Sequence, residues 1–141
     1  MPKRSIKVAM SEVTPSRRQG GKTRALLTPT SVSAISGFMG TVTLEDGERV
    51  AECYHPYSDK FLFVVRGSLL FRIDGEEVTA GENEALLITR GQRHSIENVG
   101  TTQAFVVYQI TPLAPRPEWG HVDTEPVPFP DDAPPRVGGT E

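Results

Sequence analysis

"GERVAECYHPYSDKFLFVVRG", residues Gly47 to Gly67, reads as a strand, a short hinge and a second strand. Alternate side chains of a strand share a face, so Cys53 and His55 point the same way, with Ala51 behind them. Cys53 is the single cysteine of the chain, and His55 is one of three histidines. "PYSD" separates His55 from Lys60, which opens "KFLFVVR". Further along, "GQRHSIEN" (Gly91–Asn98) sets His94 at the start of another strand, just after a glycine turn.

The chain outward from this stretch has the same character. Helical periodicity is scarce. Short runs rich in Val, Ile, Phe and Leu alternate with glycine turns every eight to twelve residues, the spacing of an all-β sandwich or barrel. Strands are expected over Ser36–Leu44, Arg49–His55, Phe61–Arg66, Leu69–Ile73, Ala85–Thr89, His94–Asn98 and Thr102–Ile110. Asp-Gly in "EDGE" (Glu45–Glu48) and "IDGEEV" (Ile73–Val78) is a strong hairpin signal. Residues 10–25 read as a polar loop. Eight of the twelve prolines lie between Pro112 and Pro135, which rules out a central strand there. Leu113, Trp119, Val122, Val127 and Phe129 make that segment too apolar for a free linker. The organisation expected is a basic arm or strand over 1–25, a barrel over 26–111, and a proline-rich extension over 112–141 that packs on the barrel and ends in disorder after about Pro130.

The 141 residues suffice for one domain with a core. A formal charge of −3 gives no overall case for nucleic acid, and no apolar run approaches a membrane span. A lone cysteine forbids an internal disulfide and fits a reducing, cytoplasmic setting; "MPKRSIKVAM" lacks the apolar region of a signal peptide. Charge is uneven. Residues 1–24 hold Lys3, Arg4, Lys7, Arg17, Arg18, Lys22 and Arg24 against Glu12, while Asp123, Glu125, Asp131, Asp132 and Glu141 follow Gly120 against Arg136. Two solvated arms account for this; a basic arm that docks an acidic partner is the sharper reading.

The two segments together resemble the double motif of the cupins. Gly47, Cys53, His55, Lys60 and Gly67 match the spacing of the first motif, and Gly91, His94 and Asn98 that of the second. Thr89 stands where the second motif usually carries proline. "SGFMGTVTLEDGERV", "HPYSDKFLFVVRG" and "TPLAPRPEWGHVDTEP" resemble, more narrowly, the small cupins of aromatic (type II) polyketide and spore-pigment pathways, described as polyketide cyclases. The resemblance runs from about Leu27 to Pro126. It implies a single-domain jelly-roll β-barrel, a homodimer, and a small-molecule polyketide intermediate as ligand, free or bound to a carrier protein.

The same resemblance implies a metal set of two histidines and a carboxylate on the first motif and a histidine on the second. Here Cys53 takes the first histidine's place and Lys60 the carboxylate's, leaving His55 and His94. Cys53, His55 and His94 would suit one divalent metal, zinc ahead of iron or copper. A buried apolar thiol is the plain alternative for Cys53. Lys60 argues against a metal, because an ammonium has no lone pair. Three readings of Lys60 stay open: it turns to solvent or pairs with Asp59; it replaces the metal as the positive group that stabilises an enolate; or Asp59 supplies the carboxylate through a shifted register.

A cyclase needs a base for the proton between two carbonyls, an acid or cation at the attacked carbonyl, and loss of water. His55, His94, Lys60 and, in the hinge, Tyr57 are the catalytic candidates. Ser58 could also meet a substrate oxygen. Leu62, Val64, Phe71 and Ile73 are expected to line the interior, and Arg93 to face away from His94. His121, in "PEWGHVDTE", covers the barrel or supplies a fourth ligand; Trp119 anchors the extension or touches a dimer partner. The alternatives to a cyclase are a metal-dependent oxygenase or isomerase and a barrel that binds a polyketide without turning it over.

Overall fold

The structure is a computed structural model that describes residues 5–137; Lys3, Arg4 and Glu141, named above in the charge pattern, lie outside them. Ten strands form two five-stranded antiparallel sheets. They are β1 (Lys22–Leu27), β2 (Phe38–Leu44), β3 (Arg49–Tyr54), β4 (Asp59–Arg66), β5 (Leu69–Ile73), β6 (Glu76–Ala80), β7 (Ala85–Ile88), β8 (His94–Asn98), β9 (Ala104–Thr111) and β10 (Val122–Asp123). One sheet runs β1-β2-β9-β4-β7 and the other β10-β3-β8-β5-β6. A single turn of helix, α1 (Pro29–Val32), is capped by Thr28, whose hydroxyl accepts from the Ser31 amide.

The sheets pack face to face because their strands alternate. Lys60, Leu62 and Val64 of β4 point inward while Phe61, Phe63 and Val65 point out. Val42, Leu44, Leu62, Val64 and Val106 from one sheet meet Val50, Leu69, Phe71 and Ile96 from the other in one cluster. As expected, Leu62, Val64 and Phe71 are fully inside, and Ile73 packs against them half-buried.

All seven expected strands are present within two residues of their expected ends. Three more had no expected range of their own, although residues 1–25 were read as an arm or strand and Asp74-Gly75 as a hairpin turn. β1 lies in the stretch read as a polar loop: Lys22, Thr23 and Arg24 mask the signal of "KTRALL", and the strand forms by pairing with β2 at the sheet edge, where charge is tolerated. β6 is exposed along nearly all its length. It is made by the Asp74-Gly75 turn, where both residues take positive φ (50° and 82°) and fold "EEVTA" back on β5. β10 pairs Val122 with Tyr54 and Asp123 with Cys53.

The two motif segments are tied by backbone. The carbonyl of His55 accepts the Gly91 amide at 2.9 Å, and Gly91 turns at φ 83°. Thr89, standing where proline is usual, uses the N–H a proline would lack: it donates to Gln92 Oε1 at 2.8 Å. Asn98 is a latch: its amide donates to the carbonyls of Leu44, Glu45 and Thr102, and its oxygen accepts the Gly100 amide. Gly67 turns at φ 100° with the backbone of Ala104 so close that a Cβ would lie 2.8 Å from it.

The chain's two arms meet each other. Arg18 donates from its guanidinium to the carbonyls of Pro130 and Asp132, the Arg17 amide donates to the Asp132 carboxylate, and Ser16 donates to the Ala133 carbonyl. The stretch after Pro130, expected to be disordered, therefore has partners through Val137, whose carbonyl accepts from Thr30. Arg18, expected to serve an acidic partner, is engaged by its own chain. Trp119 is not a buried anchor: it is half exposed, with the Arg116 guanidinium over its ring. No helix among the described residues is long and apolar enough to cross a membrane.

Candidate functional site

β3 is bulged. Val50 pairs with Ile96 and Cys53 with His94, so three steps along β3 match two along β8. The extra residue brings both Val50 and Cys53 to the inner face and sets Cys53 directly opposite His94. Cys53 Sγ lies 3.9 Å from His94 Nε2. His55 follows just past the end of β3, with its ring centroid 5.4 Å from that of His94. Lys60 enters from the facing sheet at the start of β4, its Nζ 5.4 Å from the centroid of the Tyr108 ring. All four groups are buried; His94 is 1% exposed and Lys60 8%.

Lys60 therefore does not turn to solvent. Asp59 faces the other way and accepts the Arg90 amide at 3.0 Å, so it neither pairs with Lys60 nor supplies a carboxylate to the cluster. Strand alternation decides this, since a one-residue step changes the face. Lys60 thus lies inward, away from both solvent and Asp59. Tyr57 is 40% exposed in the hinge, and none of the ring or hydrogen-bond contacts of the cluster involves it among the described residues. Ser58 is buried, but its hydroxyl donates to the Pro112 carbonyl, so it closes the hinge. Arg93 faces outward from His94, as expected.

The extension supplies what the motif spacing did not foreground. Gly120 places its carbonyl 3.0 Å from His55 Nδ1, and the His121 ring stands 5.4 Å from the His55 ring. His121 Nε2 donates to Asp123 Oδ1 at 2.7 Å, and the side-chain amide of Gln19 lies against both. The ligand atoms of Cys53, His55 and His121 all lie within 4.8 Å of one another, a grouping that includes His121 rather than His94. The one sequence signal for this was the histidine itself, since two residues of β10 carry no periodicity.

Hydrogen bonds fix the imidazole tautomers. His55 Nδ1 and His94 Nδ1 each face a backbone carbonyl, Gly120 and Gln92, at 3.0 Å, so each carries its proton there. Both Nε2 atoms are then lone pairs turned into the barrel. His94 Nε2 faces the Cys53 thiol, while His55 Nε2 is buried with no partner. A buried imidazole that donates one nitrogen to a carbonyl and leaves the other free is the arrangement of a metal ligand or of a base. The donor set thus fits a divalent metal, zinc among them, with thiolate and imidazole donors.

Burial governs the charges. It holds His94 down to about 3, with the Lys60 charge adding to the effect, and holds His55 well below its ordinary range for the same two causes. His121 is lowered by burial in spite of Asp123. Burial pushes the Cys53 thiol up to about 11, against the pull of Lys60. Lys60 is lowered by burial, with Cys53 opposing. Without a metal, the imidazoles are neutral and the thiol protonated at neutral pH.

Below the cluster the interior is packed with side chains. Two grooves lie elsewhere: one of about 540 Å³ beside Ile73, Asp74 and Leu86, and one of about 360 Å³ between Gly20, Arg49 and Phe129. Gly120 and His121 of the extension lie against His55 at the edge of the cluster.

The model of the cupin domain matches residues 40–110. The chain is 65% identical over 135 residues to "Tetracenomycin polyketide synthase protein TcmJ" of Streptomyces glaucescens, a match that covers 96% of this chain and 91% of that one. It is 46% identical over 125 residues to "Polyketide synthase CurC" of Streptomyces cyaneus, covering 89% and 81%. Among solved structures, a predicted oxalate decarboxylase from Thermotoga maritima superposes with a TM-score of 0.66 at 23% identity, over 77% of this chain and all of that one; likeness at that level speaks for the fold alone. Bulged β3, the inward Cys53, His55 and His94, and the two facing sheets are the double motif in its folded form: the chain belongs to the cupin family.

Proposed function

We propose that the protein acts in aromatic polyketide biosynthesis as a cyclase that directs ring closure and dehydration of a poly-β-keto or partly cyclised intermediate inside the barrel. The observation that carries this reading is Lys60, a buried amine with no carboxylate partner among the described residues, set beside neutral imidazoles. Burying a lysine costs stability, and a buried amine with a perturbed titration beside imidazoles is the kind of group that active sites use. The names of the relatives favour the substrate class.

The lone pair of His94 Nε2 can take the proton between two substrate carbonyls, and that of His55 Nε2 can do so while no metal holds it. Each imidazole is oriented by its Nδ1–H bond to a backbone carbonyl. Lys60, lowered by burial, can give a proton or a hydrogen bond to the oxygen that gains charge, in a site where such a bond is strong. A divalent metal held by Cys53, His55 and a second histidine (His94 in the motif's terms) would add Lewis acidity at the same carbonyl. Tyr57 in the exposed hinge would serve substrate entry rather than the reacting atoms.

A homodimer agrees with the outer face of β4 and β7, where Phe61, Phe63, Val65 and Leu87 are exposed side by side. A cytoplasmic setting agrees with the single free cysteine. Delivery by a carrier protein remains part of the reading, with Lys22 rather than Arg18 as its basic contact. The test is a reconstituted polyketide synthase that releases a poly-β-keto chain, run with and without the purified protein and its Lys60→Met and His94→Gln variants. The expected result is one ring pattern with the protein and a mixture with either variant. If both variants direct the same ring pattern as the parent, the chemistry is not at Lys60 and His94, and a barrel that only templates the chain becomes the better reading.

A further inference from the structure

We propose that His121 of the extension is a metal ligand together with Cys53 and His55, and that a divalent cation of the zinc class bound there clasps the extension over the mouth of the barrel. This assignment does not rest on the cyclase reading. It departs from the motif, whose ligands all come from the barrel strands.

Three donors of a tetrahedral zinc site stand roughly 3.4–3.8 Å apart, given bonds of about 2.0–2.3 Å. The donor atoms of Cys53, His55 and His121 already lie within 4.8 Å of one another, so small side-chain rotations close the set. The outer hydrogen bonds are in place as well. His55 gives its Nδ1–H to Gly120, and His121 gives its Nε2–H to Asp123, a carboxylate–histidine pair. That leaves the His55 Nε2 lone pair for the ion, with the His121 ring beside it to bring the further nitrogen. His55 is 7% exposed, and its Nε2 has no hydrogen-bond partner among the described residues, an arrangement that costs stability until something accepts its lone pair. A fourth donor would be a water, a substrate oxygen or His94, whose Nε2 is 3.9 Å from the sulfur.

The position of Lys60 explains why the ligand is recruited from outside the motif. A lysine where a carboxylate would stand removes one donor, and His121 restores the count. The thiolate that binding would create supplies the negative charge that Lys60 and the cation both favour; the thiol proton leaves to solvent as the ion enters.

The consequence is mechanical. Apart from this site, the extension meets β3 through the two pairs of β10, the bonds of Thr124 and Glu125 to Glu52, and the Arg49–Glu125 ion pair at 2.8 Å. His121 is a ligand and Gly120 holds another ligand's ring, so loading the ion locks both neighbours of the mouth at once.

The experiment uses the full chain, stripped of metal with chelator under reducing conditions, then titrated with Co²⁺ and with Zn²⁺. Expected for the parent is one Co²⁺ per chain, with tetrahedral visible bands and a thiolate-to-cobalt charge-transfer band. His121→Ala and the gentler His121→Gln should each weaken affinity about tenfold or more. Limited proteolysis within residues 112–137 should slow when Zn²⁺ is added to the parent and stay unchanged by Zn²⁺ in both variants. Thermal melts of the metal-free variants check that they fold; His121 is only half-buried, and its loss should leave the metal-free barrel intact. The proposal is overturned if the parent binds no ion, or if the His121 variants bind as tightly as the parent while His94→Gln does not. Proteolysis that ignores Zn²⁺ in the parent would overturn the clasp.

Discussion

Acid should unfold this protein earlier than its carboxylates alone would require, and His94 sets the size of the effect. In the native state burial first, and the charge of Lys60 second, hold its titration at about 3, against 6.5 for an ordinary histidine. Between those values the unfolded chain takes up a proton that the folded chain refuses. Stability is thus fully present above about pH 6.5 and falls as pH drops toward about 3, where the loss levels off. Each unit is worth about 1.4 kcal/mol, so His94 alone removes about 2 kcal/mol by pH 5. His55 and His121, lowered in the same sense, add to the loss, and the neighbouring rings titrate as a coupled set. Stopping at pH 5 keeps carboxylates such as Glu125, already lowered by its bond to the Glu52 amide, out of the measurement. Urea unfolding of metal-free, reduced protein at pH 8, 7, 6 and 5 should show this decline, and His94→Gln should flatten it by about 2 kcal/mol. Equal stability at pH 8 and pH 5, or an imidazole signal of His94 that titrates near its ordinary value in the folded protein, would refute the reasoning.

Two further outcomes follow from single residues. Lys60→Met, which keeps the volume and removes the buried amine, should raise stability by about 1–4 kcal/mol, read as a higher melting temperature by about 3 °C per kcal/mol; a lower melting temperature would mean that Lys60 has a compensating partner. Asn98→Leu strips the carbonyls of Leu44, Glu45 and Thr102 of their shared donor and should cost about 3 kcal/mol or more in urea unfolding; a loss under about 1 kcal/mol would show that water replaces the latch.

Much of the fold was legible because period-two alternation and glycine turns are local signals. "KFLFVVR" announces its inner face by itself, and Asp74-Gly75 announces a hairpin. β1 and β6 escaped because an edge or solvated strand needs no apolar alternation; it forms because a neighbour offers a hydrogen-bonding edge. The tie between the arms escaped because backbone carbonyls, those of Pro130 and Asp132, receive Arg18, and sequence says nothing of where a carbonyl points.

The division is sharpest at the site. Strand parity alone put Cys53 and His55 on one face, and the resemblance to the cupin double motif implied that His94 would join them. Only the tertiary structure decided the rest. The bulge in β3 set Cys53 opposite His94, the facing sheet turned Lys60 inward and Asp59 out, and the extension brought Gly120 and His121 onto His55. Each of these depends on where a distant segment lands and on what burial then does to charge. Neither is a property of a short stretch of chain, so "GERVAECYHPYSDKFLFVVRG" could name the site's inner strands but not the residue that closes it.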